Sequence, residues 1–216
     1  MPATDPRLEN EARYDRMAPA YERIVRLGSL GAITRLYRAV AAELDVPAGG
    51  LVVEIGCGPG TVTPHLRAVL DDSVRILGID LSGRMIDLAR QRAERAGWSQ
   101  VEYVKADATR WEAPGPVDAV VFCLVLSGLP EPLRCVDRAL SWLAPGGQLV
   151  VMDSLLVPGR RLANWVVRTK APRVGAVPED LPLDALLDRL GEPRTRSFLM
   201  GSYVLVSGCK PKAAQG

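Results

Sequence analysis

The sequence is poor in the side chains that carry acid–base and metal chemistry. It has a single histidine, His65, among 216 residues, and one histidine gives little basis for the ligand cluster of a catalytic metal ion. Four cysteines, Cys57, Cys123, Cys135 and Cys209, are spread along the chain without a Cys-x-x-Cys pair. That spacing favours reduced thiols in a cytoplasmic protein over a disulfide framework.

Strong net charge, a long apolar run and a leader-like N-terminus are also missing. The formal net charge is +2, so nucleic acid is not an expected partner. The longest apolar run, residues 119–126, is far shorter than the ~20 residues that span a bilayer. The first twenty residues contain the acids Asp5, Glu9, Glu11 and Asp15, which a secretory signal peptide would not. We therefore expect one cytoplasmic domain with a sizeable core.

Short apolar runs alternate with amphipathic stretches through the middle of the chain. Strands are predicted at residues 51–55, 74–80, 101–105, 117–125 and 148–152. Because helical patterns separate these continuous apolar runs, they predict a parallel sheet that helices cover on both faces. Near the C-terminus two β-rich stretches flank Gly201 and Ser202, which predicts a hairpin and an antiparallel last strand.

A glycine-rich turn follows the first predicted strand. The run VVEIGCGPG contains Gly56, Gly58 and Gly60, and Asp80 closes the second strand. Glycine lets a ligand lie against bare backbone, and an acid at the tip of the next strand reaches ribose hydroxyls. This pattern predicts a nucleoside-containing cofactor. A dinucleotide is disfavoured, because the G-x-x-G step and a Tyr-x-x-x-Lys pair for hydride transfer are both missing.

Five segments in order resemble the motif set of the class I S-adenosylmethionine-dependent methyltransferases. They are VVEIGCGPGTVT, ILGIDLSGRMIDLAR, YVKADATRW, DAVVFCLVLSGLPEP and LAPGGQLVVMD, and they span residues 51–153. The resemblance implies an α/β, Rossmann-like, seven-stranded and mostly parallel sheet, with helices on both faces and the last strand antiparallel between the fifth and sixth. It also implies S-adenosyl-L-methionine as cofactor and S-adenosyl-L-homocysteine as product.

The resemblance further implies a cofactor site at the strand ends. Glu54 would order the glycine turn near the aminopropyl end of the ligand, and Asp80 would accept hydrogen bonds from both ribose hydroxyls. Asp107 and the backbone of Ala108 would bind the adenine edge, and the backbone carbonyl of Cys123 would meet the methionine ammonium. The full predicted set is Tyr21, Glu54, Gly56, Cys57, Gly58, Gly60, Asp80, Leu81, Met85, Asp107, Ala108 and Cys123.

Several of these residues have structural alternatives. Asp80 also suits the N-cap of the helix that is predicted to begin near Ser82, and the glycines also suit an ordinary turn. Leu81 and Met85 either pack against adenine or belong only to the core. His65 is expected to face solvent or the helix flank. No metal ion is expected, because no Asp/Asn cluster follows the fourth strand.

The segment before the sheet is predicted to be a helical lid. Tyr14 and Tyr21 bracket MAPA in YDRMAPAY, which resembles the Y-x-x-x-A-x-x-Y element of quinone-biosynthesis and phospholipid N-methyltransferases, where the segment folds over the cofactor. The alternative is a pair of aromatic residues that pack an amphipathic helix on the core. We expect a lid at residues 1–45, a single core domain at 46–210 and a disordered tail at 211–216.

The methyl acceptor stays open between several classes. LVLSGLPEP, Pro64 and GAITR resemble bacterial phosphatidylethanolamine N-methyltransferases, so an amine such as phosphatidylethanolamine is the first expectation. A quinone carbon and the nitrogen or oxygen of a natural product are alternatives, as is a cofactor-binding regulatory protein without activity. No catalytic residue is assigned, because a sulfonium methyl needs only an acceptor held in line, with Tyr14 and Tyr21 as lid residues.

Residues 160–173 combine basic and apolar side chains. They contain five basic residues and no acid, with Trp165 among the apolar ones. A helix of this composition suits an anionic membrane surface or an acidic substrate, and a substrate-cap helix with solvated charges explains it equally well. The expected location is cytoplasmic, either free or peripheral at the inner membrane surface. The sequence does not predict an oligomeric state.

Overall fold

A seven-stranded sheet lies at the centre of the molecule. The computed structural model describes residues 6–28, 32–170 and 181–211. The strands are β1 (Leu51–Ile55), β2 (Arg75–Asp80), β3 (Val101–Lys105), β4 (Val117–Cys123), β5 (Leu143–Ser154), β6 (Gly191–Phe198) and β7 (Tyr203–Cys209). Their order is β3-β2-β1-β4-β5-β7-β6. Strand β7 runs antiparallel to β5 and β6, so the predicted Rossmann-like sheet with its antiparallel last strand is confirmed.

Helices cover both faces of this sheet. They are α1 (Pro6–Met17), α2 (Tyr21–Gly28), α3 (Ile33–Ala41), α4 (Thr63–Arg67), α5 (Gly83–Ala96), α6 (Pro132–Trp142), α7 (Arg161–Lys170) and α8 (Leu183–Leu187). Val52 and Val121 pack with α3 and α4, whereas their neighbours Val53 and Val120 pack with α6 and α8. Successive strand residues face opposite sides, and both sides are apolar because both are covered.

Four strand boundaries differ from the sequence prediction, of which the start of β2 at Arg75 and the end of β5 at Ser154 move by one and two residues. Strand β4 ends at Cys123 rather than at residue 125, because Leu124 has a left-handed φ of 60° that leaves the extended conformation. Strand β5 begins at Leu143 rather than at residue 148, because Leu143 pairs with Val117 ahead of a register shift. Strand β5 therefore includes the Pro-Gly-Gly segment, which the sequence predicted as a turn before the strand.

The two ends of the chain are described in part. Residues 1–5 of the predicted lid and 212–216 of the predicted tail lie outside the described residues, as does Arg173 of the basic segment. The division into lid, core and tail remains a prediction. Within the described ranges, no helix is both long enough and apolar enough to cross a bilayer.

Candidate functional site

A cavity opens where the strand order reverses. Strand β1 has β2 on one side and β4 on the other, and doubly wound sheets bind ligands beyond the carboxyl ends of the strands at such a point. Strand ends, the N-terminal helices and the segment after β4 form its wall. The lining residues are Asn10, Tyr14, Tyr21, Ile55, Gly56, Gly58, Ile79, Asp80, Leu81, Met85, Ala106, Asp107, Ala108, Thr109, Leu124, Val125, Gly128, Leu129, Pro130 and Cys135.

Most of the predicted cofactor residues meet at this cavity. Those that line it are Tyr21, Gly56, Gly58, Asp80, Leu81, Met85, Asp107 and Ala108, together with Tyr14 of the predicted lid. Glu54, Cys57, Gly60 and Cys123 do not line it and are buried behind its wall. The fold therefore brings the predicted set to one place, and contact of each residue with a ligand remains a prediction.

Asp80 joins the two loops that follow β1 and β2. The backbone N–H of Gly58 donates to its Oδ2 atom at 2.9 Å, and the N–H of Ser82 donates to its Oδ1 atom at 2.8 Å. A carboxylate offers about four acceptor positions, and the N–H of Leu81 also stabilises its charge, so at least one position remains for a ligand. The N-cap of α5 is Ser82, whose Oγ accepts from the N–H of Met85 at 3.1 Å. The alternative in which Asp80 caps that helix is therefore wrong.

Burial shifts the protonation of Asp80 toward the neutral form. Removal of water raises the pKa of this carboxyl to about 6, although the N–H groups of Ser82 and Gly58 oppose the shift by stabilising the charge. Near neutral pH most molecules thus carry an ionised carboxylate that can accept hydrogen bonds from ligand hydroxyl groups.

The glycine turn presses tightly against the segment after β4. Gly56 has a φ of +65°, and a Cβ atom there would lie 2.3 Å from Cγ2 of Val125. No side chain fits such a gap. The loops after β1 and β4 therefore approach closely only because residue 56 is glycine.

Asp107 is held by the turn that follows β3. The N–H of Thr109 donates to its Oδ1 atom at 2.8 Å, and the Thr109 hydroxyl donates to the same atom at 2.7 Å. Oδ2 lies 3.7 Å from Nε of Arg110. These contacts fix the orientation of the carboxylate on the cavity wall.

The N-terminal helices lie over the cavity and contact the core through polar groups. Asn10 donates from Nδ2 to the carbonyl of Gly128 at 3.2 Å. The hydroxyl of Ser82 donates to Oδ1 of Asp15 at 2.5 Å. Tyr21 lies above the glycine turn, since a Cβ atom added to Gly58 would meet its ring at 3.8 Å. The helices thus lie where the lid is predicted. Its movement remains a prediction.

Ion pairs add to these lid contacts, and each joins an acid of the N-terminal helices to a base of the core. Nζ of Lys105 lies 2.6 Å from a carboxylate oxygen of Glu11. Arg92 of α5 pairs with Glu22 of α2.

Two buried acids stand behind the cavity wall. Glu54 accepts from the hydroxyl of Thr63 at 3.4 Å, and burial raises its pKa to about 8. Asp153, with no exposed surface, accepts from the N–H and hydroxyl of Ser127 at 2.9 and 3.0 Å. Because Ser127 precedes Gly128 in the wall, Asp153 fixes the turn at Leu126–Gly128. Sequence reasoning did not single out Asp153.

Other lining residues also escaped the sequence analysis. They are Asn10, Ile55, Ile79, Ala106, Thr109, Leu124, Val125, Gly128, Leu129, Pro130 and Cys135. Those between 124 and 130 directly follow β4, so the rule that ligands bind at strand ends could have found them. Asn10 and Cys135 lie on helices, and no local signal marks them, because packing alone brings them to the cavity.

The single histidine lies outside this site. The ring of His65 packs beside Tyr37 with 5.6 Å between ring centres, and His65 does not line the cavity. In the described part of the chain, no three His, Cys, Asp or Glu side chains are grouped so as to hold a metal ion.

The strand order defines a doubly wound α/β domain with a cavity at the strand reversal, and known proteins share this architecture. Residues 52–147 match the family described as methyltransferase domain. The chain is 32% identical to a trans-aconitate 2-methyltransferase of Methylobacterium radiotolerans, over 74% of this chain and 59% of that protein. It is 24% identical to a 2-phytyl-1,4-naphtoquinone methyltransferase of Thermosynechococcus vestitus, over 91% of this chain and 96% of that protein.

A solved structure shows the same fold. The S-adenosylmethionine-dependent methyltransferase of Aquifex aeolicus superimposes with a TM-score of 0.64 at 19% identity, over 97% of this chain and all of that one. Residues 52–147 thus match a methyltransferase domain, and the fold is that of the Aquifex aeolicus protein. The chain spans about three fifths of the length of the trans-aconitate relative.

Replacement of Asp80 should weaken cofactor binding. In Asp80→Ala the ribose acceptor is lost, and since hydrogen bonds to a charged group contribute about 1.5–3 kcal/mol, we expect a roughly 10- to 150-fold weaker dissociation constant for S-adenosylhomocysteine. Calorimetric titration measures it. Asp87→Ala, on the exposed side of α5, is the matched control and should bind as the unaltered protein does. Unchanged affinity of Asp80→Ala for S-adenosylhomocysteine would mean that Asp80 does not bind the cofactor.

Cofactor affinity should also depend on pH through Asp80. Because the pKa of this carboxyl is about 6, we expect affinity for S-adenosylhomocysteine to fall from pH 7 to pH 5, approaching tenfold per pH unit below pH 6. The stability contribution has the opposite sign. The native pKa exceeds the unfolded one, so the free energy of unfolding falls as pH rises from about 4 to 6. Asp80→Asn should abolish the fall in affinity, whereas the stability trend should only weaken, because burial also raises the pKa of Glu54 to about 8. An affinity profile unchanged by that substitution would contradict the assignment.

Proposed function

We propose that this protein transfers a methyl group from S-adenosylmethionine to an apolar small-molecule or lipid acceptor. The observation that carries the proposal is the cavity at the strand reversal, where backbone N–H groups anchor Asp80 and leave it acceptor capacity for a ribose. The similarity of residues 52–147 to a methyltransferase domain suggests the reaction type. Methyl transfer from a sulfonium does not require a general base. Catalysis in this cavity would therefore rest on the proximity and orientation of the acceptor.

The described residues fit the proposed cofactor. S-adenosylmethionine, when bound, supplies a methyl group on a positively charged sulfonium. Asp80 would accept hydrogen bonds from the ribose hydroxyls, and Asp107 would bind the adenine edge. Leu81 and Met85, which line the same wall, would pack against the base. Tyr21 above the glycine turn would help to exclude water from the reacting atoms.

The charges of the cavity favour an acceptor without net negative charge. Asp80 and Asp107 line it, and no lysine, arginine or histidine is among its described lining residues. Trans-aconitate, which the relative from Methylobacterium is named for, bears three carboxylates, and these would lose hydration here with no basic side chain among those lining residues to pair with them. Leu124, Val125 and Leu129 add apolar surface.

Two acceptors satisfy these conditions. The first is an amine such as that of phosphatidylethanolamine, since an acidic cavity tolerates its positive form and the neutral form attacks without a base. The second is the ring carbon of a quinone. It is favoured by the relative named for a naphtoquinone, which the alignment covers over 96% of its length. Nitrogen and oxygen atoms of natural products accept a methyl group by the same displacement and are the next alternative.

Acceptor assays distinguish these alternatives. We expect labelled S-adenosylmethionine to transfer its methyl group to phosphatidylethanolamine in mixed vesicles, and not to trans-aconitate. Transfer to a demethylated quinone alone would replace the amine proposal by the quinone one. The reaction is proposed to need no metal ion and should continue in excess EDTA. No labelled product from any of these acceptors or from a cell extract would instead indicate a cofactor-binding regulatory protein.

We also propose that a surface around α7 docks on anionic membranes. Arg160, Arg161 and Trp165 are exposed, Trp165 by 63%. Met200 is 70% exposed and has a left-handed φ of 58°, a strained conformation for a bulky residue. Leu199 beside it has the same handedness. Aromatic and apolar side chains beside arginines suit the interface between lipid headgroups and acyl chains.

Contacts between the two elements make this a continuous surface. Asn164 of α7 exchanges two hydrogen bonds of 2.8 Å with the backbone of Val157. A Cβ atom added to Gly201 would lie 2.9 Å from the side chain of Val157. Val157 thus connects the first turn of α7 to the turn at Leu199–Gly201. A lipid acceptor would reach the protein from this side of the chain.

Vesicle binding tests the surface. Each arginine near an anionic surface contributes about 1 kcal/mol, screened by salt, so the protein should co-sediment with phosphatidylserine vesicles at low ionic strength and much less at high salt. Changing Arg160, Arg161 and Arg168 to serine should abolish this binding. The matched control changes the exposed Arg75, Arg95 and Arg194, which removes the same charge elsewhere. Equal loss in both variants, or no binding by the unaltered protein, would contradict the docking proposal.

A further inference from the structure

The side chain of Tyr103 passes beneath the glycine turn through a slot that two glycines leave open. Tyr103 of β3 is paired in register with Gly78 of β2. A Cβ atom at Gly78 would lie 2.5 Å from its ring, and one at Gly60 would lie 2.6 Å from its hydroxyl. Only 2% of Tyr103 is exposed. Gly60 does not line the cavity. Glycine is required at this position because a side chain would collide with the Tyr103 hydroxyl.

The Tyr103 hydroxyl begins a buried chain of hydrogen bonds. It lies 2.7 Å from Oγ1 of Thr63, and Thr63 donates to Oε2 of Glu54 at 3.4 Å. The Thr63 hydroxyl can both donate and accept, so either hydroxyl can be the donor in its contact with Tyr103. Thr63 and Glu54 are at most 1% exposed, so neither has water as a replacement partner.

This chain connects three elements that surround the glycine turn. Glu54 precedes the turn on β1, Thr63 follows it as the first residue of α4, and Tyr103 lies on β3. Both ends of the turn are thereby fixed to a strand that lies beyond β2. Asp80 fixes the middle of the same turn through the N–H of Gly58. Tyr103 does not line the cavity, so its influence on a ligand would pass through Thr63 and Glu54.

We propose that Tyr103 is a positioning residue, which holds Thr63 and Glu54 so that the glycine turn receives the amino-acid end of S-adenosylmethionine. The inference rests on the proposed function. It separates two tasks at the site: Asp80 and Asp107 serve the nucleoside, and the Tyr103 chain serves the part of the ligand beyond the sulfur. A residue that only fills the core would affect both parts equally.

Two ligands distinguish these roles. S-adenosylhomocysteine has the amino-acid end, and 5′-methylthioadenosine has the same nucleoside without it. In Tyr103→Phe the ring keeps its place and only the hydroxyl is lost. We expect about a three- to tenfold weaker dissociation constant for S-adenosylhomocysteine, the range for one buried hydrogen bond, and an unchanged one for methylthioadenosine. Thr63→Val should give the same pattern, and the double variant should be no weaker than either single one.

Controls make the outcomes separable. Tyr203→Phe, a partly buried tyrosine of β7 that does not line the cavity, should bind both ligands normally. If Tyr103→Phe does not fold, as thermal unfolding would reveal, Thr63→Val decides alone. Equal weakening toward both ligands, or none toward either, overturns the inference and leaves the proposed function intact. If the unaltered protein fails to bind S-adenosylhomocysteine, the proposed function and this inference fall together.

Discussion

One carboxylate connects the carboxyl ends of β1 and β2, and the cavity depends on it. Asp80 accepts from the N–H of Gly58 in one loop and from that of Ser82 in the next. Hydrogen bonds to a charged acceptor are about twice as strong as neutral ones, so this contact gives the glycine turn a defined shape. The burial that raises the pKa of Asp80 also leaves its remaining acceptor positions with little solvent to compete for them.

Several acids lie along this edge of the sheet. Their hydrogen-bond partners distinguish the acids that hold the structure from those that face the cavity. Glu54 and Asp153 lie behind the wall, where the hydroxyls of Thr63 and Ser127 donate to them. Asp80 and Asp107 face the cavity. An edge rich in acceptors suits a ligand rich in donors, such as a nucleoside with an amino group. It opposes anionic ligands, since the described lining residues include no base.

The N-terminal helices contact the core through polar and apolar groups. Lys105 pairs with Glu11, and Arg92 with Glu22, and such exposed pairs contribute about 0–1 kcal/mol each. Asn10 adds one hydrogen bond to the carbonyl of Gly128. Apolar contacts join the same segment to the core, because Val25 and Leu36 are buried in one cluster with Val121 of β4. The N-terminal segment is thus held by both kinds of contact.

The sequence by itself determined the alternating strands, the glycine turn and the acid at the end of β2. These depend on local patterns that a short window contains. Tertiary structure alone decided that Tyr103 needs Gly60 and Gly78, and that Asp153 holds the turn around Ser127. Such contacts join residues far apart in the chain, so no local pattern records them. They exist only once the packed sheet has fixed the distances between its strands.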